Sequence, residues 1–206
     1  ADGEVKVPAQ INGFLTGIIH QYLHKGRAEE NDDSFFEQFM GEIYQYSLFS
    51  LPRITGVTSP EEALELMEST RFDLAILMVG LDTKTTIELS QNIKARQSDM
   101  PVYLLLNQKN DVKRFEAMVD QLPSVDKLFV WGGNSQILFS IVKSIEDSAN
   151  VENDTQIGLV RVILLIEDSP IYYSRYLQLL FSIVFNQVQQ LLGDADVERN
   201  EINKIS

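Results

Sequence analysis

Two carboxylates stand side by side at Glu167-Asp168, directly after the apolar run Val162 to Ile166 and directly before Ser169-Pro170. An apolar strand that delivers adjacent acids to its carboxyl-terminal tip sets oxygen donors where open α/β sheets place their sites, and such donors suit a hard cation such as Mg2+. The same pair also reads as a solvated strand end, or as a cap for a helix begun by Pro170, where negative charge meets the positive end of the helix dipole. His20 and His24 have the i, i+4 spacing that can chelate a metal. Without a third ligand nearby they read as exposed histidines on a polar face. Trp131-Gly132-Gly133-Asn134 is either a loop whose glycines let backbone approach a ligand closely or a strand-to-helix turn with Trp131 packed at the sheet edge. No nucleophile–base pair and no phosphate loop accompanies these residues, so the machinery of a small-molecule enzyme is missing.

The elements that must position them alternate. From Pro52 onward the pattern predicts strands at 54–57, 72–79, 102–106 and 127–131, interleaved with helices from 59 to about 70 and at 85–96, 111–121 and 135–147. Ser59-Pro60-Glu61-Glu62 combines an N-cap serine, a proline at the first helical position and a capping-box glutamate. Repeated strand-helix units need right-handed crossovers and a parallel sheet covered on both faces. The expected fold class is therefore α/β, a flavodoxin-like three-layer sandwich.

Before Pro52 the spacing of Ile11, Phe14, Leu15, Ile18, Ile19, Tyr22 and Leu23 predicts an amphipathic helix over 11–23, and Phe35, Phe36, Phe39, Met40, Ile43 and Tyr44 predict a second. No first strand is evident there. Ser148 to Gly158 is polar and aperiodic and reads as a linker. Val160 to Ile166 reads as a strand that cannot stay exposed, because its unpaired edge would template aggregation. It is expected to complete the preceding sheet, within its own chain or by exchange between two copies. A long helix follows, with Tyr173, Leu177, Leu180, Val184 and Leu191 on one seam and Gln187 interrupting it. The chain divides into an amino-terminal helical segment (1–51), a sheet domain (52–147), a linker (148–158) and the truncated opening of a second domain (159–206).

Composition narrows the partners. Thirty acidic against seventeen basic residues give a net charge of −13, which opposes nucleic-acid backbones and anionic lipid. With no cysteine there is no disulfide framework or thiolate site, and a reducing cytoplasm fits best. The start lacks the order of a signal peptide, and no apolar run approaches the ~18 residues of a membrane span.

An acidic pair after a strand, followed by a helix, resembles the response-regulator receiver family. That resemblance implies a cation held by the acidic pair after the first strand, a phosphoacceptor Asp ending the third, a Ser or Thr after the fourth and a Lys after the fifth. In 52–147 those positions fall on Met78, in Asp73-Leu74-Ala75-Ile76-Leu77-Met78, on Leu106 and on Trp131. None can take or hold a phosphoryl group, so this looks like a pseudo-receiver that keeps the fold and acts by contact, through the helix 135–147 or the amino-terminal helix. Asp82, four residues past Met78, is the candidate that could rescue an acceptor; otherwise it caps the following helix.

The phrases from Val160 to Leu192, with Phe129-Val130-Trp131 and Ile145-Glu146-Asp147, are also similar to the front of bacterial multidomain proteins of the phosphoenolpyruvate synthase or pyruvate phosphate dikinase kind. That likeness implies an ATP-dependent pyruvate phosphotransferase as parent, with its catalytic parts downstream; within this segment no cofactor is expected beyond Mg2+ at Glu167 and Asp168, which the receiver resemblance implies. The expected partners are downstream domains, another protein or a second copy. The alternative is a phosphoacceptor receiver of a two-component phosphorelay whose site is completed beyond Ser206.

Overall fold

A computed structural model describes residues 13–17, 53–57, 59–79, 83–107, 109–118, 122–133 and 136–205. Ser59 supplies the expected cap: its hydroxyl accepts from the Glu62 amide at 3.1 Å, Pro60 opens the helix, and α1 runs Pro60–Ser69. Five strands form one parallel sheet: β1 (Gly13–Gly17), β2 (Arg53–Val57), β3 (Leu74–Met78), β4 (Val102–Leu106) and β5 (Lys127–Val130), in the order β2-β1-β3-β4-β5. The other helices are α2 (Thr83–Arg96), α3 (Lys109–Glu116), α4 (Gln136–Gln156) and α5 (Pro170–Ile205). This is the expected flavodoxin-like order, with helices on both faces.

Alternation along the strands sorts the side chains into two cores. Ala75, Leu77, Val102, Leu104 and Leu106 face one side, where Ala63 of α1, Leu89 and Ile93 of α2, and Val112 and Phe115 of α3 close over them. Leu74, Ile76, Leu105 and Phe129 face the other, beneath Ile137, Leu138, Ile141 and Val142 of α4 and Leu177 of α5. Ser90 and Ser124, both buried, share a 2.7 Å hydrogen bond that ties α2 to the turn before β5.

Three expectations are corrected. Gly13–Gly17, placed within a helix by periodicity, is the missing first strand, paired with β2 from Gly13 opposite Arg53 and with β3 from Phe14 opposite Leu74. A short apolar run that enters a central strand and continues into apolar residues carries the same i, i+3, i+4 coincidences as a helix. The linker does not begin at Ser148: α4 continues to Gln156, because no Gly or Pro interrupts it until Gly158. Val160 to Ile166 makes no ladder and does not complete the sheet, which is already filled by β1. The helix expected around Phe35 to Tyr44 lies outside the described residues. Among the described residues no helix is long and apolar enough to cross a membrane.

Candidate functional site

The carboxyl ends of β3, β4 and β5 meet at one edge of the sheet. Met78 is opposite Leu105, and Leu106 is opposite Val130, so Met78 and Leu106 end β3 and β4 beside Trp131, which directly follows β5. The Trp131 amide donates to the Leu106 carbonyl at 2.8 Å, and that of Val79 to Leu105 at 3.1 Å, which holds the tips together. Met78 and Trp131 pack against the cluster under α4, while Leu106 is buried in the opposite core. A thioether, an isobutyl group and an indole stand here. They supply no hard oxygen donor for a divalent cation and no ammonium for a phosphoryl oxygen, so this trio does not fit the cation that a receiver site requires.

The surroundings add structural rather than reactive contacts. Arg114 on α3 donates to the Thr83 hydroxyl at 3.1 Å and tethers the start of α2. A Cβ built on Gly132 or Gly133 would meet nothing within 4 Å, and Gly133 has φ +91°. The positive φ of Gly133 is a backbone conformation that glycine adopts without strain. Asp82, His20 and His24 lie outside the described residues. The sequence following β1, Ile18-Ile19-His20, carries no carboxylate.

Glu167 and Asp168 lie at the other end of the sheet. With Glu116, Asp126, Lys127 and Tyr173 they line an open recess of about 500 Å³ beside the first residues of β5. The Glu167 carboxylate accepts from the Ser169 amide at 3.1 Å, and Tyr173 N–H donates to the Ser169 carbonyl at 2.8 Å, so Ser169 stands at the cap position of α5 with Pro170 as first helical residue. Among the described residues no group of three or more His, Asp or Glu is arranged to hold a metal. The pair thus stands apart from Met78, Leu106 and Trp131, and does not bear on the same site.

This end holds the network that sequence reasoning missed. Asp126 accepts from the Val102 amide and from Lys94 Nζ, each at 2.7 Å, and its own amide donates to the Val102 carbonyl at 2.9 Å. Tyr103, Phe129 and Tyr173 form a tilted aromatic row, 5.3 and 5.9 Å between centroids, with Lys127 Nζ 3.8 Å from the Tyr173 centroid. Burial, then the nearby Asp126 carboxylate and Tyr173, push the Tyr103 phenol up to about 12. An acid immediately before a strand is the only sequence signal that could have marked Asp126.

No protein-family model matches the chain, and no curated protein matches it. Solved structures do. An adenylate cyclase from Rhodopirellula baltica matches with a TM-score of 0.50 at 10% identity, over 74% of this chain and 99% of that one. The signal receiver domain of an HD domain-containing protein from Pseudomonas fluorescens Pf-5 matches with a TM-score of 0.50 at 14% identity, over 73% and 97%. At such identities the likeness concerns the fold. The chain has the fold of response-regulator receiver domains.

Proposed function

We propose that this chain is a receiver-like regulatory module that works by contact and not by phosphotransfer. The observation that carries the reading is the trio at the strand tips: Met78 and Leu106 end β3 and β4, and Trp131 follows β5, where the receiver resemblance calls for an acceptor carboxylate, a hydroxyl and an ammonium. A receiver fold stripped of these groups retains two buried cores and a set of helix surfaces. Its output is then a surface offered to a protein partner or to downstream domains. Part of α4 is covered by α5, where Phe139 meets Phe181 edge-on at 6.3 Å, so the surface on offer is the remainder. We place the module in the cytoplasm of a bacterium, at the front of a larger signalling or phosphoenolpyruvate synthase-like protein. That parentage is supported only by the sequence phrases from Val160 to Leu192 with Phe129-Val130-Trp131 and Ile145-Glu146-Asp147.

Trp131 is the single tryptophan and stands at the position of chemistry, so its fluorescence reports the site directly. Titration with Mg2+ and then with beryllium fluoride, a mimic of a bound phosphoryl group, leaves the emission unchanged if the reading holds. A saturable change reversed by chelation contradicts it.

A further inference from the structure

Helix α5 carries two apolar stripes. Tyr173, Ser174, Leu177 and Phe181 pack on β5 and α4, with Ser174 and Leu177 buried. Tyr172, Tyr176, Leu179 and Ile183 follow another side, about 140° away at 3.6 residues per turn, and are 51%, 45%, 57% and 48% exposed. A helix with one face on a core ordinarily keeps a polar back; α5 does not. The Tyr172 and Tyr176 rings are already stacked on each other, with 6.1 Å between centroids and 21° between planes. Tyrosines held in place beforehand suit an interface, because little side-chain freedom remains to be lost on binding.

Three properties of this outer stripe select its occupant. Its spacing of four, three and four residues reads the same in both directions. Laid antiparallel on a copy of itself, it sets Tyr176 opposite the partner's Leu179 and Tyr172 opposite the partner's Ile183, and a twofold axis repeats both contacts. Its charge is low: from Pro170 to Leu192 the only charged side chain is Arg175, so the net −13 of the chain lies elsewhere and is largely screened beyond about 8 Å at physiological ionic strength. Its extent is that of an interface core. The four side chains present on the order of 450 Å² to solvent, close to the apolar share of a standard interface of about 800 Å² per partner. Polar residues then close the stripe, since Asp168 and Ser169 precede it and Asn186 and Gln190 occupy its next positions, as a rim does around a core.

We infer that the outer stripe of α5 is a homodimer interface, in which two copies pair through antiparallel α5 helices about a twofold axis. The inner stripe keeps its contacts with β5 and α4, so each sheet enters the dimer whole. This deepens the contact reading by naming a second copy as a partner. Its readout involves no phosphoryl group, so either proposal can fail while the other stands.

Sedimentation equilibrium tests the pairing, and crosslinking tests its direction. The chain is expected to dimerise in the micromolar range. Leu179→Asp is expected to raise the dissociation constant by about thirtyfold or more, the scale of a hot-spot residue, with circular dichroism unchanged. The chain contains no cysteine, so introduced thiols are unique. A mixture of Tyr172→Cys and Ile183→Cys is expected to join through a short thiol-reactive linker. Either variant alone holds its two thiols about 16 Å apart along the axis, at 1.5 Å per residue, and is expected not to join. If Leu179→Asp disturbs folding, the crosslinking decides, because its two positions are half exposed. A chain that stays monomeric up to about 1 mM overturns the inference. So does linking of Tyr172→Cys to itself, which makes the pairing parallel. A dimer that survives Leu179→Asp and is lost in Ile163→Asp also overturns it, by moving the contact to the exposed segment before α5.

Discussion

The Ser174 hydroxyl lies 2.9 Å from the Val130 amide nitrogen and accepts its hydrogen bond, while the same hydroxyl donates to the Pro170 carbonyl at 2.6 Å. A helix side chain thereby satisfies a backbone donor on the outer edge of a parallel sheet. Edge strands invite pairing with other chains unless something covers them, and here α5 does so with one oxygen and the side chains of Tyr173 and Leu177.

Replacing Ser174 by alanine leaves the part-buried Val130 amide without its partner. The expected loss is about 1–3 kcal/mol in denaturant unfolding, with an increased tendency to associate through β5. Tyr172→Ala, two residues earlier and 51% exposed, is expected to change stability by about 0.5 kcal/mol or less in this chain.

Asp126 joins the starts of β4 and β5, since one carboxylate oxygen takes both the Val102 amide and Lys94 Nζ. Asp126→Ala is expected to cost about 1.5–3 kcal/mol, the range for hydrogen bonds to charged groups, measured by chemical denaturation. Lys94→Met is expected to cost less, because Asp126 then keeps its backbone donor. Equal losses would show that the ion pair, rather than the amide bond, dominates.

The half-buried Tyr103 phenol gives the fold an alkaline weakness. Its value in the folded protein is pushed up to about 12, above the 10.0 of a free phenol, so between those two the unfolded chain releases a proton that the folded chain retains. Stability is complete below pH 10 and falls as pH rises towards about 12. Unfolding midpoints across that window, compared with Tyr103→Phe, are expected to diverge, the variant losing less. Parallel curves would remove Tyr103 as the cause.

Much of the fold could be read from the chain because its signals are local. Ser59, Pro60 and Glu62 announce α1 by capping chemistry alone, and β3 and β4 are apolar runs bounded by polar turns. β1 could not be read this way. Phe14 and Leu15 form a strand because β2 and β3 flank them, a tertiary fact that overrides the helical spacing of Ile11, Ile18 and Ile19. Val160 to Ile166 fails in the opposite sense: its pattern is that of a strand, but a ladder needs partners that the described residues do not supply.

The candidate site divides in the same manner. Met78, Leu106 and Trp131 could be placed by counting along the strands, and the register brings the three tips together. The acidic pair could not be placed, since its end of the sheet depends on where α5 docks, and that docking is fixed by Ser174, Tyr173 and Leu177.

The most direct measurement is the intact mass of the chain after incubation with a small-molecule phosphodonor and Mg2+. A receiver-like module that acts by contact keeps its mass unchanged, at any donor concentration at which an ordinary receiver is modified. A stable gain of one phosphoryl group contradicts the account, and its disappearance in a variant carrying Asp82→Asn and Asp168→Asn would place the acceptor on one of those two residues.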